Sequence, residues 1–549
     1  MISRLKTIMG SKKNIFVIFL IILFLQVALR VFLYERTNWI TPPGHVHTIP
    51  AVDAFYPAVM RQAMLGSNTF SYSYTTLPTP NIYSYFFFIG AGKIAALSHI
   101  DPVVMYEITR ITGGIAILIT TYWLIILLFP LALQVPAMIF TMLLETGPTW
   151  DNLTHTPIWQ WMTPWFVPSL LDRHFYLPHH LWGEALGLAL LCVIIRNIQK
   201  PSRLGPLLII FLAISSSLTS PTFGVILVPC VFLPWLGYAL VTKSLKKTFL
   251  PIAFATAGIG CASLFTELQF SAGPPWNIFT STEKTWWTTN SILIPFIQSF
   301  SLFYPFIALL LVLIPFTWNK WSPMMRRIFV LAFCWSVLPF GLILLAAVPW
   351  IPLSNGRIAT DLSTVPAGIL ATLVFYAAEH LRWFKRPVKF ILYGFFLLSI
   401  GVSLLLSVIY FKQTIQNQNT EVSNAGDSWI EYPTMNIWNS IIALKNIPTG
   451  SHILENPRIA TILPTYVPVH VYQGSNGGPD WSYLRGLSYV FYTGEMSLQD
   501  IRKLFTDNNI TYVYYGPEEK TALKTDSFYP DLLDPIYTNP EVTIYKVRP

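Results

Sequence analysis

Charge is scarce in this chain. Only 11% of its 549 residues are Asp, Glu, Lys or Arg, against roughly 25% in a soluble domain. So few charged side chains do not cover a soluble surface of this size, which excludes a cytosolic enzyme and a disordered protein. Cysteine is scarcer still. Cys192, Cys230, Cys261 and Cys334 all fall in apolar segments, so there is no disulfide framework and no CxxC metal pair. They read as buried, inert thiols. Also missing are the alternating strands of ~10 residues that an outer-membrane barrel needs. A basic soluble face, as nucleic-acid binding requires, is missing too. Residues 1–411 hold 25 Lys and Arg against 12 Asp and Glu, whereas residues 412–549 hold 10 against 14.

What is present is apolar length. Hydrophobic residues make up 53% of the chain, and the mean hydropathy is +0.52. Eleven stretches qualify as spans of about 20 apolar residues: 14–33, 108–129, 131–147, 180–196, 205–220, 222–241, 248–268, 291–316, 328–350, 361–381 and 390–411. The first follows Arg4, Lys6, Lys12 and Lys13. It is too long for a signal-peptide core, and Phe32, Tyr34 and Glu35 stand where a small-residue cleavage site belongs. A retained first span is expected.

The basic residues set the topology. The N-terminus and the turns at 196–203, 243–247, 320–327 and 382–389 carry 17 of the 25. With eleven spans these five segments fall on one side, and short basic loops stay cytoplasmic. The segment Asn81–Leu97 would break that pattern as a span. With Tyr83, Tyr85 and Lys93 it reads instead as a helix lying in the outer interface. The expected architecture is a polytopic α-helical membrane domain, residues 1–411, with outer loops at 34–107, 147–179, 269–290 and 351–360. A soluble α/β domain, residues 412–549, follows on the outer side. In that tail, 436–447 and 497–508 are spaced as helices, the second capped by Ser497. Residues 451–454, 510–515 and 541–547 read as strands. The membrane is expected to be the cytoplasmic one, with the N-terminus cytoplasmic and the tail extracytoplasmic.

Ionisable residues gather in the outer loops. Asp53, shortly after Pro50, opens a short amphipathic helix. It has two readings: a helix N-cap, or a general base beside a lipid-phosphate leaving group. His45 and His47 are one residue apart and lack the further ligands a metal needs. The second outer loop ends in Asp172, Arg173 and His174, and His179, His180 and Glu184 open the next span. These are either interfacial ion pairs or a catalytic group. Arg357 is the one basic residue of its loop. It suits a phosphate, or snorkels to lipid headgroups.

The order of these features resembles the GT-C superfamily of integral-membrane glycosyltransferases, which includes the protein O-mannosyltransferases, the aminoarabinose transferases of lipid A and the oligosaccharyltransferases. The resemblance rests on VDAFYPAVMRQAMLG with Asp53, PTPNIYSYFFFIGAGKIAAL, and DPVVMYEITRITG, where Arg110 opens the second span. Asp172 and Arg173 before the fourth span, a late outer loop with Arg357 and an exported tail complete it. It implies a GT-C-like fold and transfer of a sugar from a polyprenyl-phosphate-linked donor to an acceptor glycan, lipid or protein on the outer face. It implies Asp53 and Asp172 as catalytic residues. It implies substrate contacts from Arg357, Arg173, His174, His179, His180 and Arg110, and a divalent metal beside the acceptor as an option. Membrane lipids are the other expected partners, and nucleic acid is not one. Ala54 follows Asp53 where the mannosyltransferases carry a second acidic residue. WWTTN, at 286–290, lies in a loop and not in the tail, which argues against transfer to Asn. The competing class is a polytopic transporter or lipid flippase, with Ser215, Ser216, Ser217 and Thr219 as its polar lining. A missing internal repeat and few charges at mid-membrane speak against it.

Overall fold

The computed structural model describes residues 12–50, 53–144, 177–278, 303–346, 354–381, 386–423, 432–474, 480–522 and 528–549. By contacts the chain forms two compact units. One comprises Met1–Phe32, Arg110–Thr266 and Glu283–Ile415. The other comprises Leu33–Thr109, Glu267–Thr282 and Gln416–Pro549. This division does not follow the order of the chain, because the first outer loop belongs with the tail.

The chain is a multi-pass membrane protein. Each of the eleven apolar stretches lies on a helix where it is described. Among the described residues, six helices are long and apolar enough to cross a membrane: Lys12–Leu33, Pro102–Leu128, Pro178–Gln199, Pro221–Val241, Leu245–Phe270 and Pro323–Ala346. Shorter apolar helices include Leu131–Met142, Gly205–Thr219, Tyr304–Lys320, Val365–Glu379 and Phe390–Leu406. Proline sets several boundaries. Pro178, Pro221 and Pro323 open helices, where a missing N–H costs nothing. Pro221 also forces Ser220 into an extended conformation (φ −138°, ψ 92°). The chain therefore reverses between Gly205–Thr219 and Pro221–Val241.

Small residues let these helices approach closely, the usual device in lipid. A Cβ on Gly183 would overlap the Ser220 side chain, one on Gly187 would overlap Phe223, and one on Gly224 would overlap Ser217. Ser216 Oγ donates to Gly183 O at 2.9 Å. The serines of this region thus serve packing. Gly368 fits against Thr141 in the same way. Three helix ends that flank basic turns meet at one end of the bundle. There Lys320 Nζ donates to His380 O at 3.2 Å, Tyr238 OH donates to Pro323 O at 3.3 Å, and Arg327 lies over the Tyr238 ring.

The second unit is built on a five-stranded sheet of order β2-β1-β3-β5-β4. Its strands are β1 (His452–Leu454), β2 (His470–Val471), β3 (Ile510–Tyr515), β4 (Leu533–Thr538) and β5 (Thr543–Val547). β2 and β3 run parallel to β1, whereas β5 is antiparallel to both β3 and β4. The tail is an α/β domain, with helices Met435–Ala443 and Leu498–Asp507 where spacing places them and Ser497 accepting from Asp500 N. The first outer loop extends the sheet. Val471 N donates to Ser73 O and Gly474 N to Tyr74 O, both at 2.9 Å, with a bridge between Thr75 and Gln473. Helix Phe55–Met64 packs on Phe86–Ser98, where a Cβ on Gly92 would overlap the Met60 carbonyl. With 13 residues, Phe86–Ser98 is about 20 Å long. That is short of the ~30 Å hydrocarbon core, yet it exposes Phe86, Ile94 and Leu97.

Two carboxyls are buried beyond the carboxyl ends of the parallel strands. Glu455 accepts from Tyr472 N and Gln473 N, and Glu519 accepts from Asn456 N and Gly516 N. Burial pushes the Glu519 carboxyl up to about 7, and it pushes Glu455 up as well. Glu519 therefore holds a proton in the folded unit that the unfolded chain releases above about 4.5. Its stabilisation is complete below that value and is lost as pH rises through 7. Thermal unfolding of the full chain, wild type against Glu519→Gln, should show the wild-type advantage shrinking between pH 5 and pH 8. A difference that grows with pH would contradict this.

Candidate functional site

Each unit holds a group of ionisable residues of its own. In the first, they sit at the end of the bundle opposite the basic turns. The short helix Asn355–Thr360 begins at Ser354, whose hydroxyl accepts from Arg357 N, and ends at Asp361. Pro366 then opens the helix Val365–Glu379. Asp361 is 3% exposed. Its charge is met from two other helices. His180 Nδ1–H donates to Oδ1 at 2.7 Å, and Ser220 Oγ–H donates to Oδ2 at 3.0 Å. A buried carboxylate needs such donors. The arrangement also fixes the imidazole, with a proton held on Nδ1.

The ring of His179 lies 4.2 Å from that of His180, and Arg357 is within electrostatic reach of His179. Glu184 is buried one turn along the same helix. Arg110 is buried too. It lies three residues before Gly113, which abuts Leu181 and Trp182. Of the residues expected from the sequence, the structure gathers His179, His180 and Arg357. Asp172, Arg173, His174 and WWTTN lie outside the described residues. Asp361 and Ser220 join the group although sequence reasoning did not select them. The available signal was a carboxylate at the very start of the apolar stretch 361–381.

In the second unit, Asp53 is buried, 8% exposed. The turn that holds it is tight: Asp53 N donates to Pro50 O at 2.9 Å, and Tyr56 N donates to Asp53 O at 3.2 Å. The N-cap position of the helix is Ala54, with no side-chain cap. His47 packs on Tyr432, ring centroids 5.3 Å apart. Burial, partly opposed by Glu107, lowers its pKa to about 4, so it is neutral near pH 7. His45 makes its bridge to Thr434 through the backbone. Among the described residues no group of three or more His, Cys, Asp or Glu converges as a metal site.

No family model matches the chain, and no curated protein sequence matches it. Solved structures do. ArnT from Cupriavidus metallidurans, bound to undecaprenyl phosphate, aligns over 95% of this chain and 97% of its own, with a TM-score of 0.51 and 13% identity. The chain shares the fold of that ArnT. The apo state of the same ArnT aligns over the same shares at 0.50 and 12%. The apo Archaeoglobus fulgidus oligosaccharyltransferase aligns over 91% of this chain and 70% of its own at 0.48 and 12%.

The close fit of Gly183 against Ser220 makes the polar end sensitive to a single methyl group. Gly183→Ala should lower the melting temperature, as overpacking costs about 1–3 kcal/mol. Gly237→Ala, where nothing lies within 4 Å, should be neutral or raise it. Equal melting of the two variants would show that the helices yield at Gly183.

Proposed function

We propose that this chain is a membrane glycosyltransferase that moves a sugar from a polyprenyl-phosphate-linked donor to an acceptor glycan, lipid or protein. The observation that carries the reading is the fold, shared along nearly the whole chain with ArnT, which was captured with undecaprenyl phosphate. The polar end of the first unit supports it. Arg357 is a cation suited to a phosphate diester, and it lies within electrostatic reach of His179, whose ring neighbours that of His180. Asp361 and Ser220 set the direction of that ring.

Asp53 acts as the general base. Its carboxylate takes the proton of the acceptor hydroxyl as the acceptor oxygen forms a bond to the anomeric carbon. The bond from that carbon to the phosphate oxygen breaks with its electron pair, and polyprenyl phosphate leaves as an anion held by Arg357. Asp172 is the second acidic residue. Arg110, Arg173, His174 and His179 complete the substrate contacts. The protein lies in the cytoplasmic membrane with its N-terminus cytoplasmic, and the reaction takes place on the outer face. The basic turns at one end of the bundle, opposite Arg357 and His180, support that orientation.

The test is the lipid that stays with the detergent-purified protein, read by mass spectrometry. A polyprenyl phosphate or its glycosylated form should be retained by the wild type and lost in Arg357→Ala. In Asp53→Asn the lipid should be retained while transfer is abolished. Only bulk phospholipid, unchanged in Arg357→Ala, would overturn the reading and favour transport. Full transfer by Asp53→Asn would remove the base.

A further inference from the structure

The turn that carries Asp53 is closed by backbone hydrogen bonds to Pro50 and from Tyr56 of its own helix. The tail adds side-chain anchors on both sides of it. Thr465 Oγ–H donates to Ala54 O at 2.6 Å, at the residue next to Asp53. Ile49 N–H donates to Tyr466 OH at 2.9 Å, four residues before it. Arg61, on the helix that follows, donates through Nε to Thr465 O and through Nη2 to Asp101 Oδ2 at 2.9 Å. Asp101 in turn accepts from Val103 N at the start of the next helix. These anchors bracket Asp53 on both sides, and all of them except Asp101 run through one turn of tail helix, Leu463–Tyr466.

The residue types at that turn are informative. Thr465 is fully buried and Tyr466 nearly so. Packing alone would accept Val and Phe at these positions. The Tyr466 ring is fixed in the tail by an edge contact with Trp438 at 4.9 Å, whereas its hydroxyl serves the first loop. The Thr465 hydroxyl likewise points at the first loop, where Tyr74 also approaches it. Both hydroxyls are spent on the loop that carries Asp53.

We propose that Leu463–Tyr466 is the element that positions Asp53, and that Thr465 is a positioning residue for the transfer reaction. This rests on the reading of Asp53 as the base. It gives the tail a part in catalysis without a tail residue touching the substrate.

The test uses the full chain in detergent with Thr465→Val, which removes only the hydroxyl, and Thr465→Ser, which keeps it. In Thr465→Val, hydrogen exchange at the Asp53 and Ala54 amides should rise about tenfold, as loss of one hydrogen bond allows. Release of polyprenyl phosphate from the copurified donor should slow at least about tenfold, because small misplacements of a base are costly. Retention of undecaprenyl phosphate should not change, and Thr465→Ser should match the wild type in all three. Unchanged exchange in Thr465→Val overturns the proposal, as does faster exchange with unchanged release. The separate failure, transfer by Asp53→Asn, would remove the base assignment while leaving the exchange result intact.

Discussion

An apolar bundle holds a carboxylate only where donors meet its charge on the spot, since neither water nor lipid will do so. Asp361 is that case. Its two oxygens take one hydrogen bond each from His180 and Ser220. This requirement draws three helices to one point. Gly183 has no side chain because Ser220 must come that close, and Pro221 keeps Ser220 extended at the reversal. Pro178 starts the helix two residues before His180. The packing of the bundle end and the aim of the imidazole follow from one charge that must be satisfied.

The second unit solves a different problem. A polar loop outside a membrane is mobile unless something fixes it. Here an α/β tail distant in sequence supplies hydroxyls and a sheet edge to the first loop. The aromatic cluster of that loop, with Phe55, Phe70, Tyr72 and Tyr85 in ring contact and Trp276 of the segment 267–278 against Phe70 and Tyr72, completes its core. Tail and loop therefore share one hydrophobic core that neither has alone.

Much of this was legible in the sequence. Long apolar runs gave the helices, since hydrophobic periodicity is hardly needed when every face meets lipid or protein. Ser497 and the run ITYVYY gave the helix Leu498–Asp507 and β3. β2 was not legible, because two residues carry no pattern. Nor was β4, where Pro535 sits beside a register shift, as proline does in edge strands. In the site, His180 and Arg357 stood out by their polar surroundings. Asp361 was hidden by averaging, counted as one residue of an apolar span. Thr465 and Tyr466 were beyond reach, because their partners lie more than 400 residues away.

The joining of the segment around Ser73–Thr75 to β2 bears on how such proteins change over time. An exposed strand edge invites pairing with other chains, and here the first loop covers it. A tail exchanged between relatives without its matching loop would arrive with a bare edge and with hydroxyls aimed at nothing. The structural module in this protein is therefore discontinuous. It consists of the first loop and the tail together, although hundreds of residues of membrane helix separate the two.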